Sequence, residues 1–243
     1  TDLGSGESLY FPVNEGDPIS IFTISNDGTI ALISTKSTLF FVFSLEQQRL
    51  LKSWRGYHGV PVEMALDPAT SLFATCYSDR SMRIWDLDSG MCLSSVKGFN
   101  TFCTFLEFTS NLNGNSKLFC GGAEGQLCVY QVSPEGQCKL EFKKDNAHAS
   151  AITSVKFSPS FDWFITLSRD KIITQWSMKN FSSQRSLLVS EAIEDGELVC
   201  GDGLLPQQNS NSVLLALGGE NGFLSLWNFT SGTCLWKEDG KKG

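Results

Sequence analysis

Residues 148–177 read HASAITSVKFSPSFDWFITLSRDKIITQWS, and they contain His148, Thr166, Asp170 and Trp176. The same residue types recur earlier in the chain at matching offsets, as His58, Thr75, Asp79 and Trp85. In both sets the Thr lies four residues before the Asp, and the Trp lies six residues after it. The His precedes the Asp by 21 residues in the first set and by 22 in the second. This match predicts one structural unit that is used more than once.

A longer period supports this interpretation. Five β-rich runs end in an aromatic residue, at Phe43, Trp85, Tyr130, Trp176 and Trp227, with gaps of 42, 45, 46 and 51 residues. Each unit divides into short β-forming runs, such as AITSVKF, WFITLS and KIITQWSM in one unit and LLKSW, VPVEMAL, LFATCY and SMRIWDL in another. Helical periodicity is absent. The sequence therefore predicts an all-β chain of propeller blades with four strands each.

The four matched residues suit a hydrogen-bond relay. A buried Asp in a tight turn needs donors, an imidazole can link it to a hydroxyl, and an indole N–H completes the chain. Loss of one member would leave a buried polar group unpaired, at a cost of about 1–3 kcal/mol. The other three repeats depart from the set, with Glu15, Phe99 and Val189 at the His position and Ser37, Glu124 and Asn221 at the Asp position. We expect those blades to depend on apolar packing and to be less rigid.

On these residues the chain resembles the WD-repeat family, whose blades carry this His–Ser/Thr–Asp–Trp tetrad. The resemblance covers about residues 15–237. It implies about five four-stranded blades, part of a seven-bladed ring; a closed ring of five is the alternative. The expected repeats are residues 15–54, 55–97, 98–142, 143–190 and 191–237, with 8–13 as the outer strand of a preceding blade.

Three stretches resemble one branch of this family more closely. They are HGVPVEMALDPATSLFAT (58–75), AITSVKFSPSFDWFITLSRDKIITQW (151–176), and SEAIEDGELV (190–199) with GGENGFLSLWNFTSGTCLW (218–236). The branch comprises transducin-beta-like, tandem-propeller subunits of the UTP-B complex. The resemblance implies a scaffold for protein subunits of the small-subunit processome, a U3 snoRNP ribonucleoprotein that processes pre-18S rRNA in the nucleolus of the nucleus. RNA contact would be secondary.

Composition limits the other function classes. The formal net charge of −7 argues against a broad nucleic-acid surface, which needs clustered Lys and Arg. No apolar run approaches 18 residues and no signal peptide opens the chain, so we expect a soluble, intracellular protein without membrane contact. The eight cysteines include no C-x-x-C pair, so we expect reduced thiols and no metal site.

The sequence also predicts that the chain is not an enzyme. Both histidines are assigned to relays, and neither a nucleophile elbow nor a phosphate-binding loop is present. We therefore expect no cofactor and no small-molecule substrate. The acidic run 191–197 is either a solvated loop or a site for a basic peptide. Beside the scaffold, the alternative function is an adaptor that reads a peptide tail through an acidic or aromatic cage in another nuclear or cytoplasmic complex.

The family resemblance also indicates where partners dock. In WD-repeat propellers the top face is built mainly from the third and fifth residues after the tetrad His and the residue before the tetrad Asp. Carried onto this sequence, these positions include Phe102, Arg169, Lys36 and Glu63. An exposed Phe invites burial by a partner, and Arg anchors interfaces through its fixed donors. The alternative for Phe102 is that its loop folds it back against Phe105.

Overall fold

The computed structural model describes residues 16–56, 59–68, 71–97, 99, 101–109, 116–158, 162–189, 198–204, 213–219 and 222–238, with side chains omitted for 198–204. The described residues form five antiparallel four-stranded sheets and no helix. The predicted all-β class with about five four-stranded units is therefore confirmed. No described helix is long and apolar enough to cross a membrane.

The strands follow chain order within each sheet. The first sheet contains β1 (Ile19–Ile24), β2 (Ile30–Thr35), β3 (Leu39–Ser44) and β4 (Arg49–Arg55), and the second contains β5 (Pro61–Leu66), β6 (Leu72–Tyr77), β7 (Met82–Asp86) and β8 (Cys92–Val96). The third contains β9 (Cys103–Thr109), β10 (Ser116–Gly122), β11 (Leu127–Val132) and β12 (Cys138–Lys144). The fourth contains β13 (Ile152–Phe157), β14 (Trp163–Ser168), β15 (Ile172–Ser177) and β16 (Ser183–Leu188). The fifth contains β17 (Leu198–Leu204), β18 (Leu214–Gly219), β19 (Leu224–Asn228) and β20 (Thr233–Glu238).

The four runs predicted for the second unit are offset by one strand from the second sheet. The first of these runs, LLKSW, lies in β4 and pairs with β3 in the first sheet, within the expected repeat 15–54. Similarity along the chain reports the repeated order of strands, whereas backbone hydrogen bonds decide which four form a sheet. The predicted outer strand at 8–13 lies outside the described residues.

The chain divides into two compact units, one of residues 1–118 with 130–140 and one of residues 119–129 with 141–243. In the first unit, the core between the first two sheets is rich in aromatic rings. Phe40, Phe73 and Trp85 are fully buried, and the centroids of these three rings lie 5.6–5.9 Å apart. Large aromatic surfaces of this kind contribute much of the burial energy of a sheet interface.

The core of the second unit includes an apolar cluster from the fourth and fifth sheets. Ile165, Leu167 and Ile173 pack with Leu215 and Trp227, and each of the five is at most 3% exposed. On β18, Leu215 and Leu217 belong to this cluster whereas Ala216 is exposed. This alternation follows from the two-residue period of a strand, and it fixes which face of the fifth sheet is buried.

A left-handed residue recurs at one position of every sheet. Thr38, Arg80, Gly125, Lys171 and Gly222 have φ values of 65°, 62°, 78°, 67° and 74°. Each follows directly after the position at which the second and fourth repeats carry Asp. Three of the five have a side chain, although this conformation disfavours a Cβ. At Gly125 a Cβ would collide with the carbonyl oxygen of His148, so glycine is required there.

The cysteine prediction can be tested on one pair. Cys76 and Cys103 are buried in the first unit, and their Sγ atoms lie within 4.8 Å of each other although 27 residues separate them in sequence. Burial also raises the pKa of Cys138 to about 12. We expect all three thiols to resist alkylation in the native protein, while exposed Cys234 reacts first. Mass spectrometry after native and then denaturing alkylation measures this, and an intact disulfide would contradict it.

Candidate functional site

The relay of the fourth sheet is complete. Nδ1 of His148 lies 3.1 Å from Oδ2 of Asp170, and Nε2 lies 2.7 Å from Oγ1 of Thr166. The indole N–H of Trp176 donates to the same hydroxyl at 2.8 Å. A neutral imidazole that donates from Nδ1 can accept the Thr166 proton at Nε2, so every member has a partner.

Asp170 holds the turn as well as the imidazole. Its carboxylate accepts the backbone N–H of Ala149 at 2.8 Å and that of Ile172 at 2.9 Å. Burial acts to raise the pKa of Asp170, but the hydrogen bonds from His148, Ala149 and Ile172 outweigh it and leave the pKa below its usual value. The anionic form is therefore favoured. This arrangement ties the carboxylate and the imidazole to the turn.

The second sheet reproduces part of the relay. The indole of Trp85 donates to Oγ1 of Thr75 at 2.8 Å, as Trp176 does to Thr166. Oδ1 of Asp79 accepts the backbone N–H of Ser81 at 2.9 Å and its hydroxyl at 2.6 Å. His58 lies outside the described residues. Asp79 is exposed, whereas the sequence predicted a buried carboxylate, because this turn presents it to solvent.

In two of the other sheets, hydrogen bonds of polar side chains accompany the expected apolar packing. In the first sheet Asp17 reaches the corresponding turn and accepts the backbone N–H of Ser37 at 3.1 Å. Hydrogen bonds from Thr35 and then Ser37 hold the pKa of Asp17 below its usual value. In the fifth sheet the indole of Trp227 donates to Ser225 at 3.1 Å. A carboxylate two residues from the expected position gave no signal in the repeat alignment.

Phe102 is an exposed aromatic side chain in the first unit. It is 49% exposed, whereas Phe105 is buried on β9, and so Phe102 is not packed away in the core. The guanidinium carbon of Arg80 lies 5.1 Å from the centroid of the Phe102 ring. Arg80 occupies the left-handed turn position described above, a place that sequence reasoning did not consider. An Arg side chain that packs over an exposed ring presents cationic and apolar surface side by side.

The other predicted docking residues occupy different settings. Lys36 is exposed, and its backbone N–H donates to the carbonyl of Pro18 at 2.9 Å. Arg169 is exposed in the second unit, and its N–H donates to Ala151 at the same distance. Glu63 on β5 is partly buried. Lys36 and Arg169 thus make corresponding backbone hydrogen bonds in the first and fourth sheets, and each lies in an equivalent turn. Glu63 exposes less of its side chain to a partner.

Glu63 predicts a pH dependence of stability. Burial raises its pKa from 4.5 to about 7. A carboxyl whose folded-state pKa is raised stabilises the protein below its unfolded pKa, and this contribution is lost as pH rises from 4.5 through about 7. We expect Glu63→Gln to gain stability relative to the wild type across that window. Urea denaturation at pH 5, 6, 7 and 8 measures the difference, and a constant difference would refute the assignment.

The sheet architecture, the period and the relay define a WD-repeat protein. The WD domain, G-beta repeat family matches residues 48–86 and 136–177, the stretches that contain the two Asp–Trp pairs. The chain therefore contains two stretches that match WD repeats of this family. Each matched stretch starts on or before the outer strand of one sheet and ends in the third strand of the next, which agrees with the one-strand offset described above.

Whole-chain comparisons give the relatives. The chain is 24% identical over 245 residues to rat Transducin beta-like protein 3, and the alignment covers 100% of this chain and 30% of that protein. It is 25% identical over 231 residues to the COMPASS component SWD3 of Saccharomyces cerevisiae, covering 92% and 71%. A chain in the solved structure titled "Crystal Structure of Mitotic Checkpoint Complex" matches with a TM-score of 0.72 at 15% identity, over 93% and 66%. This chain spans under a third of the length of Transducin beta-like protein 3.

Proposed function

We propose that the chain is a non-catalytic scaffold that holds protein partners in a ribosome-assembly complex of the UTP-B type. In this role it serves pre-18S rRNA processing in the small-subunit processome of the nucleolus, and its partners are mainly proteins. The observation that carries the proposal is the alignment with Transducin beta-like protein 3 over the whole of this chain. The five sheets, with the repeat boundaries given above, would belong to a larger ring.

The geometry supports a binding role. His148, the histidine whose surroundings are described, is held between Asp170 and Thr166, as a structural residue would be. Phe102 and Arg80 instead lie at the surface with the aromatic and guanidinium groups that dominate protein interfaces. Burial of exposed aromatic surface of this kind by a protein partner is energetically favourable, so such surface often marks an interaction site. A scaffold role uses such surfaces without requiring chemistry.

The docking residues give a prediction about affinity. Replacing Phe102 and Arg169 together with alanine should weaken binding to purified UTP-B-type partner subunits by more than about 2 kcal/mol, or about 30-fold. Phe22→Ala is the matched control, because Phe22 is 62% exposed on β1 of the same unit as Phe102. Calorimetric titration measures the affinity of the wild type, the double variant and the Phe22→Ala control for these subunits. Unchanged affinity in the folded double variant would move the interface to other surfaces.

The proposed role can be tested in cells that express the full protein. Depletion should raise the ratio of unprocessed 18S precursors to mature 18S rRNA, while precursors of the large subunit stay unchanged. Northern blotting measures both classes of precursor. Re-expression of the wild-type protein is the control, and normal 18S processing after depletion would contradict the role.

A second candidate is an adaptor that reads a peptide tail in another complex. The similarity to yeast COMPASS component SWD3 favours it, because the chain spans 71% of that protein. A basic tail that paired with the partly buried Glu63 would favour its charged form and offset the rise in pKa that burial causes. Peptide arrays of basic tails distinguish the two candidates, since a scaffold shows no preference among them and Glu63→Gln would remove the preference of a tail reader.

A further inference from the structure

The second and fourth sheets match residue for residue around the relay threonine. Arg83 on β7 lies opposite Thr75 on β6 and Ser95 on β8. Thr174 on β15 lies opposite Thr166 on β14 and Ser186 on β16. Arg83 and Thr174 each stand four residues after the Asp of their repeats. The two residues therefore occupy equivalent places in the two sheets.

In the second sheet this place holds an arginine. Arg83 is only 5% exposed, and its guanidinium carbon lies 4.5 Å from the centroid of the Tyr77 ring. Its Nη1 is buried without a hydrogen-bond partner. A buried guanidinium is costly unless its surroundings compensate, and a ring face supplies attraction to the charge. The sheet framework thus accommodates a guanidinium at this place.

In the fourth sheet the equivalent residues are small. Thr174 stands where the second sheet has Arg83, and Ser168 stands where it has Tyr77, two residues before the Asp. A cleft of about 500 Å³ opens beside the relay, with Thr174, Ser186, Asp170 and Asn146 in its lining. Ligand sites in proteins commonly have volumes of about 300–1,000 Å³. The space that the second sheet fills from within is open in the fourth.

The lining suits a planar cation with several donors. The hydroxyls of Thr174 and Ser186 lie 3.1 Å apart, and both can accept hydrogen bonds. Asp170 contributes negative charge, and its Oδ1 accepts the Ile172 N–H at 2.9 Å with only a long contact of 3.4 Å to His148. A guanidinium has five donors in a fixed plane and no acceptor, so it complements this set better than an ammonium does. The chain's net charge of −7 also favours cationic partners.

We propose that this cleft in the fourth sheet binds an arginine side chain of a partner protein. The partner would place a guanidinium next to Thr174 in the fourth sheet, as Arg83 places its own guanidinium at the equivalent position of the second sheet. The site does not depend on which assembly the chain serves. A small-molecule probe therefore tests it separately from the ribosome-assembly role.

The experiment is an NMR titration of the protein with N-acetyl-L-arginine methylamide. We expect saturable shifts of the Ile172 and Thr174 amides with a dissociation constant of about 1 mM, because a single side chain offers few contacts. N-acetyl-L-lysine methylamide is the matched probe and should bind at least about tenfold more weakly.

Thr174→Arg tests the cleft directly. The new guanidinium would lie beside the Ser186 hydroxyl and the Asp170 carboxylate that line the cleft, so binding of the arginine probe should fall at least about tenfold. Ser186→Leu blocks the cleft from β16 and serves if the first variant does not fold. Ser183→Arg is the control, because it adds the same charge to an exposed position of β16 outside the cleft. No saturable shift in the wild type, or full binding in both blocked variants, would overturn the proposal.

Discussion

Replacing Asp170 with alanine is expected to lower the free energy of unfolding by about 3 kcal/mol. The substitution removes the acceptor for the imidazole of His148 and for the backbone N–H groups of Ala149 and Ile172. The buried imidazole of His148 would be left without its carboxylate, and the two backbone N–H groups would lose their acceptor. For a chain of this length, the loss corresponds to a fall in Tm of about 6–12 °C, which thermal denaturation followed by circular dichroism measures.

Two matched variants distinguish the effect of breaking the relay from the effect of removing a carboxylate in general. Asp88→Ala removes a carboxylate that is 74% exposed and paired with Lys52, and it should change stability by less than about 0.5 kcal/mol. Asp79→Ala should cost about 1 kcal/mol, because Asp79 is exposed and removal of its carboxylate breaks the two hydrogen bonds from Ser81. Equal losses in Asp170→Ala and Asp88→Ala would refute the relay as a stabilising device.

The depressed pKa of Asp170 predicts a pH signature in a further variant, Asp170→Asn. A carboxylate whose folded-state pKa lies below its unfolded value of 3.8 stabilises the protein above pH 3.8, and that contribution is lost as pH falls through the folded pKa. The stability difference between the wild type and Asp170→Asn should therefore shrink below about pH 4. A difference that is the same at pH 3 and pH 7 would contradict this cause.

Trp85→Ala is expected to have the largest effect, with a loss of about 3–5 kcal/mol of unfolding free energy. Trp85 is fully buried, its ring stacks on Phe73 with centroids 5.9 Å apart, and it contacts Phe40 at 5.6 Å. Truncation opens a cavity in the aromatic core and removes the donor to Thr75. Urea denaturation followed by circular dichroism measures the loss.

Trp236→Ala is the control for this core, because Trp236 is 48% exposed on β20. Its truncation should change stability by less than about 0.5 kcal/mol. Trp85→Phe keeps most of the ring volume but removes the indole donor, and it should cost about 1–2 kcal/mol. If Trp236→Ala were as damaging as Trp85→Ala, the aromatic core would not be the main source of stability in the first unit.

Much of the fold could be predicted because its signals are local and repeated. Within one repeat, strands are predicted by the alternation of apolar residues, by turn residues and by the spacing of the aromatic residues. Five repeats give the same prediction five times, which strengthens it. The relay of the fourth sheet followed from matching offsets of four residue types. The hydrogen bonds of His148 and Trp176 have the geometry that such a relay requires.

The remaining features depend on contacts between residues that are distant in sequence. The stacking of Arg80 on Phe102 joins turns of different sheets, and the cysteine pair of the first unit joins strands 27 residues apart. In the sequence Arg83 is one residue of a β-forming run, and its burial against the Tyr77 ring becomes visible only in the folded protein. Asp17 replaces a relay member from a shifted position, which a comparison at fixed offsets misses.

The central claim is that this chain holds protein partners in a ribosome-assembly complex. The most direct measurement is quantitative mass spectrometry of proteins that co-purify from cells with the tagged protein, comparing the wild type with the variant in which Phe102 and Arg169 are replaced by alanine. The account predicts that subunits of the UTP-B complex are the most enriched partners of the wild type and are depleted about 30-fold from the folded variant. Enrichment of a different complex, with the UTP-B subunits absent from the wild-type purification, would contradict it.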